Sequence, residues 1–241
     1  MYRTPVWDAF PQVLNSLLAN WKSVAAFLAF TLVFSMVRRL RWARQRTAAD
    51  AVARGMGFLP LDGMPLERSE LASLGFPFGH GTFRNIESGN INGKEVVLFD
   101  TEVNHPHGGP TLQTMAAFKF AGSNLPNFTL QPRSMLRDVS SLFGKSVDFG
   151  PESAFSRDYS LESPDEATAR TCFTREFREY FEGLERYDSK KNWHLQKGGR
   201  WMMIYRRDEG FDPVELQTFL QGTTEIVRNL EEAAEGKGPG S

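Results

Sequence analysis

The stretch that decides the fold is FRNIESGNI at 83–91, NG at 92–93 and KEVVLFDTEV at 94–103. Asn-Gly between two strand-forming runs is the strongest short signal for a β-hairpin, because its turn needs positive φ at both central positions. Val96, Val97, Leu98 and Phe99 give the second strand a buried middle. Two antiparallel strands are therefore expected here, with more sheet to follow.

Downstream, Thr111–Phe120 alternates well enough for a third strand, and Phe128–Leu130 supplies a fourth before Pro132. Ser134–Phe143 reads as a short helix and Phe155–Leu161 as another strand. Ser163-Pro164-Asp165-Glu166 combines an N-cap serine, proline at the first helical position and glutamate at the third. The helix behind it carries Ala169, Phe173, Phe177, Tyr180, Phe181 and Leu184 at three-to-four spacing. Trp193–Lys197 and Trp201–Arg206 flank Gly198-Gly199 as a second hairpin, and a final amphipathic helix follows Asp212-Pro213. Residues 58–81 are rich in glycine and proline and admit one short helix near Glu67–Ser73. Short antiparallel connections with helices added late predict an α+β fold, a mostly antiparallel sheet with helices packed on one face.

Ahead of this domain, Leu17–Val37 is mostly apolar and is followed at once by Arg38, Arg39, Arg41, Arg44 and Arg46. Between Val24 and Val37 only Thr31 and Ser35 are polar, and both hydroxyls can bond back to helix carbonyls. Lys22 can snorkel to headgroups, and Trp21 and Trp42 stand where interfacial indoles are expected. The segment predicts a single transmembrane helix, with the arginine-rich side in the cytoplasm and the amino terminus outside. A cleaved signal peptide would place its charge before the apolar run and a small-x-small site after it, which this sequence does not. The organisation expected is a short extracytoplasmic stretch (1–16), the spanning helix (17–37), a basic stalk helix (38–54), a cytosolic domain (55–235) and a disordered tail (236–241).

Charge divides unevenly. Residues 1–46 hold seven basic and one acidic side chain, leaving 21 basic and 28 acidic beyond them. An acidic domain offers no electrostatic footprint for nucleic acid. Cys172 is the one cysteine, which excludes an intrachain disulfide and a multi-cysteine zinc site, and it reads as a buried small hydrophobe.

Chemistry-bearing clusters are few. His105 and His107 follow a strand carrying Asp100 and Glu102, and imidazoles with carboxylates can ligate zinc or a similar metal. The surrounding Pro106, Gly108 and Gly109 favour a plain solvated loop instead. Gly79-His80-Gly81 lacks the third glycine and following helix of a phosphate cradle, and no Gly-x-Ser-x-Gly elbow occurs. His194 reads as a partly buried strand histidine. The phenylalanines of the sheet half read as core, with a hydrophobic groove for a lipid or peptide as the rival.

Val96-Val97-Leu98-Phe99-Asp100, Phe118, Leu125–Pro132, Phe155–Leu161, Arg170 and Phe173-Thr174 together resemble a group of uncharacterised bacterial proteins. These combine an amino-terminal membrane segment with one α+β domain. The similarity covers about residues 75–230, with Thr101 standing where the group carries an aromatic. It implies a bacterial origin and membrane tethering, and it transfers no activity.

The function expected is that of a single-pass protein of a bacterial inner membrane whose cytosolic domain binds, as a scaffold, adaptor or sensor. An unknown protein partner and self-association fit that class; no cofactor and no catalytic residue is expected. The rivals are a metal-assisted hydrolase using Asp100, His105 and His107, and a domain for a hydrophobic ligand or lipid.

Overall fold

The computed structural model describes residues 21–75, 83–103, 111–120, 124–133, 145–150, 152–187, 193–206, 211 and 213–236. The chain divides into two compact units, one up to Ala48 and one from Ala49 onward.

Helix α1 (Trp21–Gly55) begins in the first unit. Thr31 donates its hydroxyl to the Leu28 carbonyl at 2.9 Å, as a hydroxyl in an apolar helix should. Among the described residues no helix is long and apolar enough to cross a membrane. The physical reason is length. The stretch from Val24 to Val37 has 14 residues and rises about 21 Å, short of a hydrocarbon core of about 30 Å. Leu17, Leu18 and Ala19, which would extend it, lie outside the described residues. So do the side chains of Lys22, Trp42, Arg38, Arg39, Arg41, Arg44 and Arg46.

The second unit opens with the last turns of α1, where Ala53 is fully buried beside Phe58. The boundary expected at 54/55 thus falls inside a helix end that belongs to the core. Among the described residues fifteen elements follow the order α1, β1 (Leu59–Pro60), α2 (Arg68–Ser73), β2 (Phe83–Ile91), β3 (Lys94–Val103), β4 (Thr111–Lys119), β5 (Phe128–Pro132), β6 (Lys145–Val147), α3 (Ala154–Asp158), β7 (Tyr159–Ser163), α4 (Glu166–Cys172), α5 (Arg175–Tyr187), β8 (Trp193–Gly198), β9 (Trp201–Arg206) and α6 (Pro213–Ala234). The strands among them form one sheet in the order β1-β2-β3-β4-β9-β8-β5-β7-β6. Every pairing is antiparallel, so the fold is α+β with a large antiparallel sheet.

The Asn92-Gly93 turn takes positive φ at both residues, 52° and 82°, and closes the expected β2–β3 hairpin. Both sheet edges are blunted. Leu61 N–H donates inward to the Ile86 carbonyl at 2.8 Å, so Pro60 turns its missing N–H outward. The opposite edge, β6, has three residues.

Four sequence expectations need correction. Phe155–Leu161 is not one strand: residues 154–158 form α3, capped by Ser153, whose hydroxyl accepts from Ser156 N–H. The N-cap of α4 is Asp165, which accepts from Thr168 N–H at 3.0 Å; the Ser163 hydroxyl is spent on the Asn127 carbonyl. The long helix behind it is two, because the chain breaks at Phe173 and restarts where the Thr174 hydroxyl accepts from Phe177 N–H. Finally, helical cover is not confined to one face. The larger core packs α4, α5 and α6 on one face, around an aromatic cluster in which Phe155 meets Tyr159, Phe173 and Phe181 at 5.7–6.1 Å. The smaller core lays Leu66, Leu71 and Leu74 of the α2 segment on Val97, Phe99, Met115, Ala117, Trp201 and Met203 of the other face. The expected helix at Ser134–Phe143 and the tail beyond Gly236 lie outside the described residues.

One carboxylate ties α2 down. Glu70 accepts from Arg200 Nε and from Trp201 Nε1 at 3.0 Å, and from Glu67 N–H at 2.9 Å. Burial pushes its carboxyl up, but the hydrogen bonds from Arg200, Glu67 and Trp201 outweigh that and hold it below the ordinary 4.5. A group lowered in this way contributes stability above its unfolded pKa and loses it as pH falls through the folded one. Glu70→Gln is therefore expected to cost about 1–2 kcal/mol at neutral pH. The gap from wild type should narrow in urea titrations run below the ordinary glutamate pKa. An equal gap at both pH values would show that the charge of Glu70 is not what holds α2.

Candidate functional site

The residues singled out in the sequence are occupied with structure. Asp100 on β3 accepts from Asn85 Nδ2 at 2.5 Å through Oδ2 and from Thr114 Oγ1 at 2.7 Å through Oδ1. Glu102, two residues on and on the same face, pairs with Arg84 at 2.9 Å. Asn85 has φ of 63° and lies in the bulge where the β2–β3 register slips between Arg84 and Glu87. Asp100 thus pins an unusual backbone. His105 and His107 lie outside the described residues, and among those described no group of three His, Cys, Asp or Glu is placed to hold a metal. Cys172 is buried, and burial pushes its thiol up, away from reactivity. Phe99, Phe118, Phe120, Phe128 and Phe155 are all buried in the two cores.

A different constellation emerges from the sheet order. In a strand, alternate side chains share a face, and residues paired across strands share it too. The pairs Thr129↔Glu162, Gln131↔Ser160, Thr129↔Gln196 and His194↔Tyr205 therefore put six polar side chains on one face of β7, β5 and β8. This is the face whose other half carries Val97, Phe99, Met115, Ala117, Trp201 and Met203. The middle of β3, β4 and β9 is apolar on this face, the pair Thr101↔Gln113 at the end of β3 and β4 is polar and buried, and β8, β5 and β7 are polar. None of Thr129, Gln131, Ser160, Glu162, His194 and Gln196 is more than 9% exposed. At the border His194 stacks on Tyr205, with ring centroids 4.7 Å apart and planes within 9°. Gln196 Nε2 reaches the Tyr205 hydroxyl at 3.4 Å.

This arrangement does not assemble a nucleophile and base. Ser160 lies on β7 and His194 on β8, with β5 between them, so they stand two strand spacings, about 10 Å, apart. It is instead a field of buried hydrogen-bonding groups, mostly neutral.

Two other features deserve less weight. Lys197, on the opposite face of β8, is buried between Phe128 and Met202 and donates to the Gly199 carbonyl. Burial lowers the pKa of its amine. An open cleft of about 480 Å³ separates the β2–β3 turn from α6, lined by Met56, Asn90, Asn92, Gln221, Thr224 and Arg228 among others. Its charged members are already engaged: Glu225 accepts from the Tyr180 hydroxyl at 3.1 Å, and Arg228 lies 3.8 Å from Glu232.

No protein-family model matches the chain, and no curated protein matches it. Among solved structures, the crystal structure of the mycobacterial trehalose monomycolate transport factor A, TtfA, aligns with a TM-score of 0.47 at 12% identity, over 79% of this chain and 93% of that one. At that score it defines neither the fold nor the activity of this chain.

Proposed function

We propose that this chain is a membrane-tethered binding protein, with the domain from Ala49 onward on the cytoplasmic side of a bacterial inner membrane. The observation that carries the tether is the exposure of α1. Val24, Phe27, Leu28, Phe30, Leu32, Val33, Phe34, Met36 and Val37 are all exposed, and helical spacing spreads them round the whole circumference. A surface helix of a soluble domain keeps a charged or strongly polar face; between Val24 and Val37 only Thr31 and Ser35 are polar, so water is the wrong surrounding for this stretch. Adding Leu17–Ser23 from the sequence brings the stretch to 21 residues, or about 31 Å, enough to span. Arg38 to Arg46 then set the orientation.

Binding, rather than catalysis, is supported by the polar half-face, which gathers hydrogen-bonding groups without a reactive pair. A protein partner and self-association are both compatible with such a domain.

Washing membranes from cells that produce the full chain with alkaline carbonate tests the tether. The chain should stay with the lipid; its release with peripheral proteins would refute an integral anchor. Thr4→Cys then tests the orientation, since Cys172 is buried and silent. An impermeant maleimide should label Thr4→Cys from outside intact spheroplasts. Labelling only after lysis would reverse the topology.

A further inference from the structure

We propose that the cleft between the β2–β3 turn and α6 binds a small zwitterion with an aliphatic side chain: a free amino acid or a dipeptide. This gives the binding reading above a site of its own, and it rests on neither the anchor nor the polar half-face.

The cleft has the size and the lining for such a molecule. Its volume of about 480 Å³ falls within the range of small-molecule sites. Unlike the polar half-face it is open, with Asn90, Asn92, Gln221, Glu225 and Arg228 all exposed around it. Its apolar surface comes from Met56 and Ile91, half-buried at the edge of the larger core, and is backed by buried Leu220. The two walls are tied together. Lys94, the residue after the turn, pairs with Glu231 of α6 at 2.5 Å, and Asn92 and Gly93 hold the positive φ that the turn requires.

Charge selects the class. Glu225 and Arg228 lie three residues apart on α6, so they share one face of the helix about one turn apart. Neither is saturated by its neighbours. The Tyr180 hydroxyl donates to one oxygen of Glu225, Oε2, at 3.1 Å. Arg228 Nε stands 3.8 Å from Glu232, and the arginine side chain is 61% exposed; that distance is longer than a hydrogen bond. An anion entering the cleft would meet Glu225 beside Arg228, and a cation would meet Arg228 beside Glu225. A molecule that carries both charges meets each with its opposite. Its ammonium donates to Glu225 and its carboxylate accepts from the Arg228 guanidinium, both in charge-assisted bonds. The amides of Asn90, Asn92 and Gln221 supply donors and acceptors at the mouth, and an aliphatic side chain covers Met56 and Ile91.

The test is calorimetric titration of the full chain, in a non-ionic detergent, with leucine and with leucyl-leucine. Saturable binding of leucine identifies an amino-acid site, and of the dipeptide alone a peptide site. The amidated form of either probe lacks the carboxylate and the acetylated form lacks the ammonium, so each should bind at least about tenfold more weakly than its parent. Arg228→Gln and Glu225→Gln replace exposed groups, and glutamine still accepts from Tyr180. Both variants should keep the melting temperature and weaken binding by a similar factor, and Arg228→Gln should also abolish the difference between the parent and its amide. No saturable binding of either probe overturns the proposal, as does equal binding of the parent and capped forms. Binding that both variants leave unchanged places the ligand elsewhere; the cleft assignment then falls while the binding reading stands.

Discussion

Gly198→Ala should destabilise the domain by about 3–5 kcal/mol, the largest loss expected from any single methyl group added here. A Cβ at this position would stand 2.0 Å from the Ser73 carbonyl oxygen, 2.4 Å from its carbon and 2.9 Å from Leu74 N. All three are backbone atoms, so no side-chain rotation relieves the clash. The end of α2 must lift from the β8–β9 hairpin, and Leu71 and Leu74 lose their burial against Phe99, Trp201 and Met203. Burying one leucine is worth about 1.5–3 kcal/mol, and two set the scale of the effect. Two controls separate this contact from general intolerance. Gly199 has φ of 54° with only Ser73 Oγ nearby at 3.6 Å, so Gly199→Ala should cost about 1 kcal/mol through backbone strain. Gly63 has open space around it, and Gly63→Ala should leave stability within about 0.5 kcal/mol of wild type. Urea midpoints followed by tryptophan fluorescence decide the matter, since Trp201 lies under α2. If Gly198→Ala unfolds within about 1 kcal/mol of wild type, α2 does not rest on this hairpin.

The elements legible in the sequence are those whose signals are local. Asn92-Gly93 names its own turn, and the alternation of Thr111–Lys119 survives into β4 without change of register. The short helix expected near Glu67–Ser73 is present as α2, and the structure adds the capping box that Glu67 and Glu70 make at its start. Residues 154–158 failed the same reading because one turn and a half of helix has no period to detect. Phe155 and Tyr159, four apart, line a helix face and a strand start respectively, and only the Ser153 cap distinguishes the two. The break between α4 and α5 was hidden for the opposite reason. Phe173 and Phe177 keep helical spacing across it, and their rings meet edge-on at 5.2 Å as if the helix were continuous.

The candidate site was illegible for a reason of topology. Thr129, Gln131, Ser160, Glu162, His194 and Gln196 each occupy the polar position of an alternating strand, which in isolation reads as a solvent face. They share one face because β5 lies between β7 and β8, two neighbours that come later in the chain. Nothing within any one strand announces that order. One local signal did exist: polar positions on β5, β7 and β8 are glutamine, serine, threonine, histidine and a single glutamate, with lysine and arginine absent from the shared face. Exposed strand faces usually carry such charges.

Asp100→Ala should cost about 2–3 kcal/mol, and the loss should be the same with or without a chelator. The carboxylate is the common acceptor for Asn85 Nδ2 and Thr114 Oγ1; removing it strands two part-buried donors at about 1 kcal/mol or more each. It also releases Asn85, which holds a left-handed backbone at the bulge in β2. Asn85→Gly separates the two contributions. Glycine adopts the positive φ freely and gives up only the hydrogen bond, so it should cost about 1 kcal/mol. Thr114→Val does the same for the other donor, and a double-mutant cycle with Asp100→Ala should show a coupling of about 1 kcal/mol between them. These values follow from Asp100 as a hydrogen-bond hub. A metal ligand would behave differently: EDTA would lower the wild type toward the level of Asp100→Ala, and added zinc or manganese would raise it. That result would return Asp100, with Glu102, His105 and His107, to the role of a metal centre, and it would carry the hydrolase reading with it. Insensitivity to EDTA, together with the measured coupling to Thr114, assigns the carboxylate to the bulge.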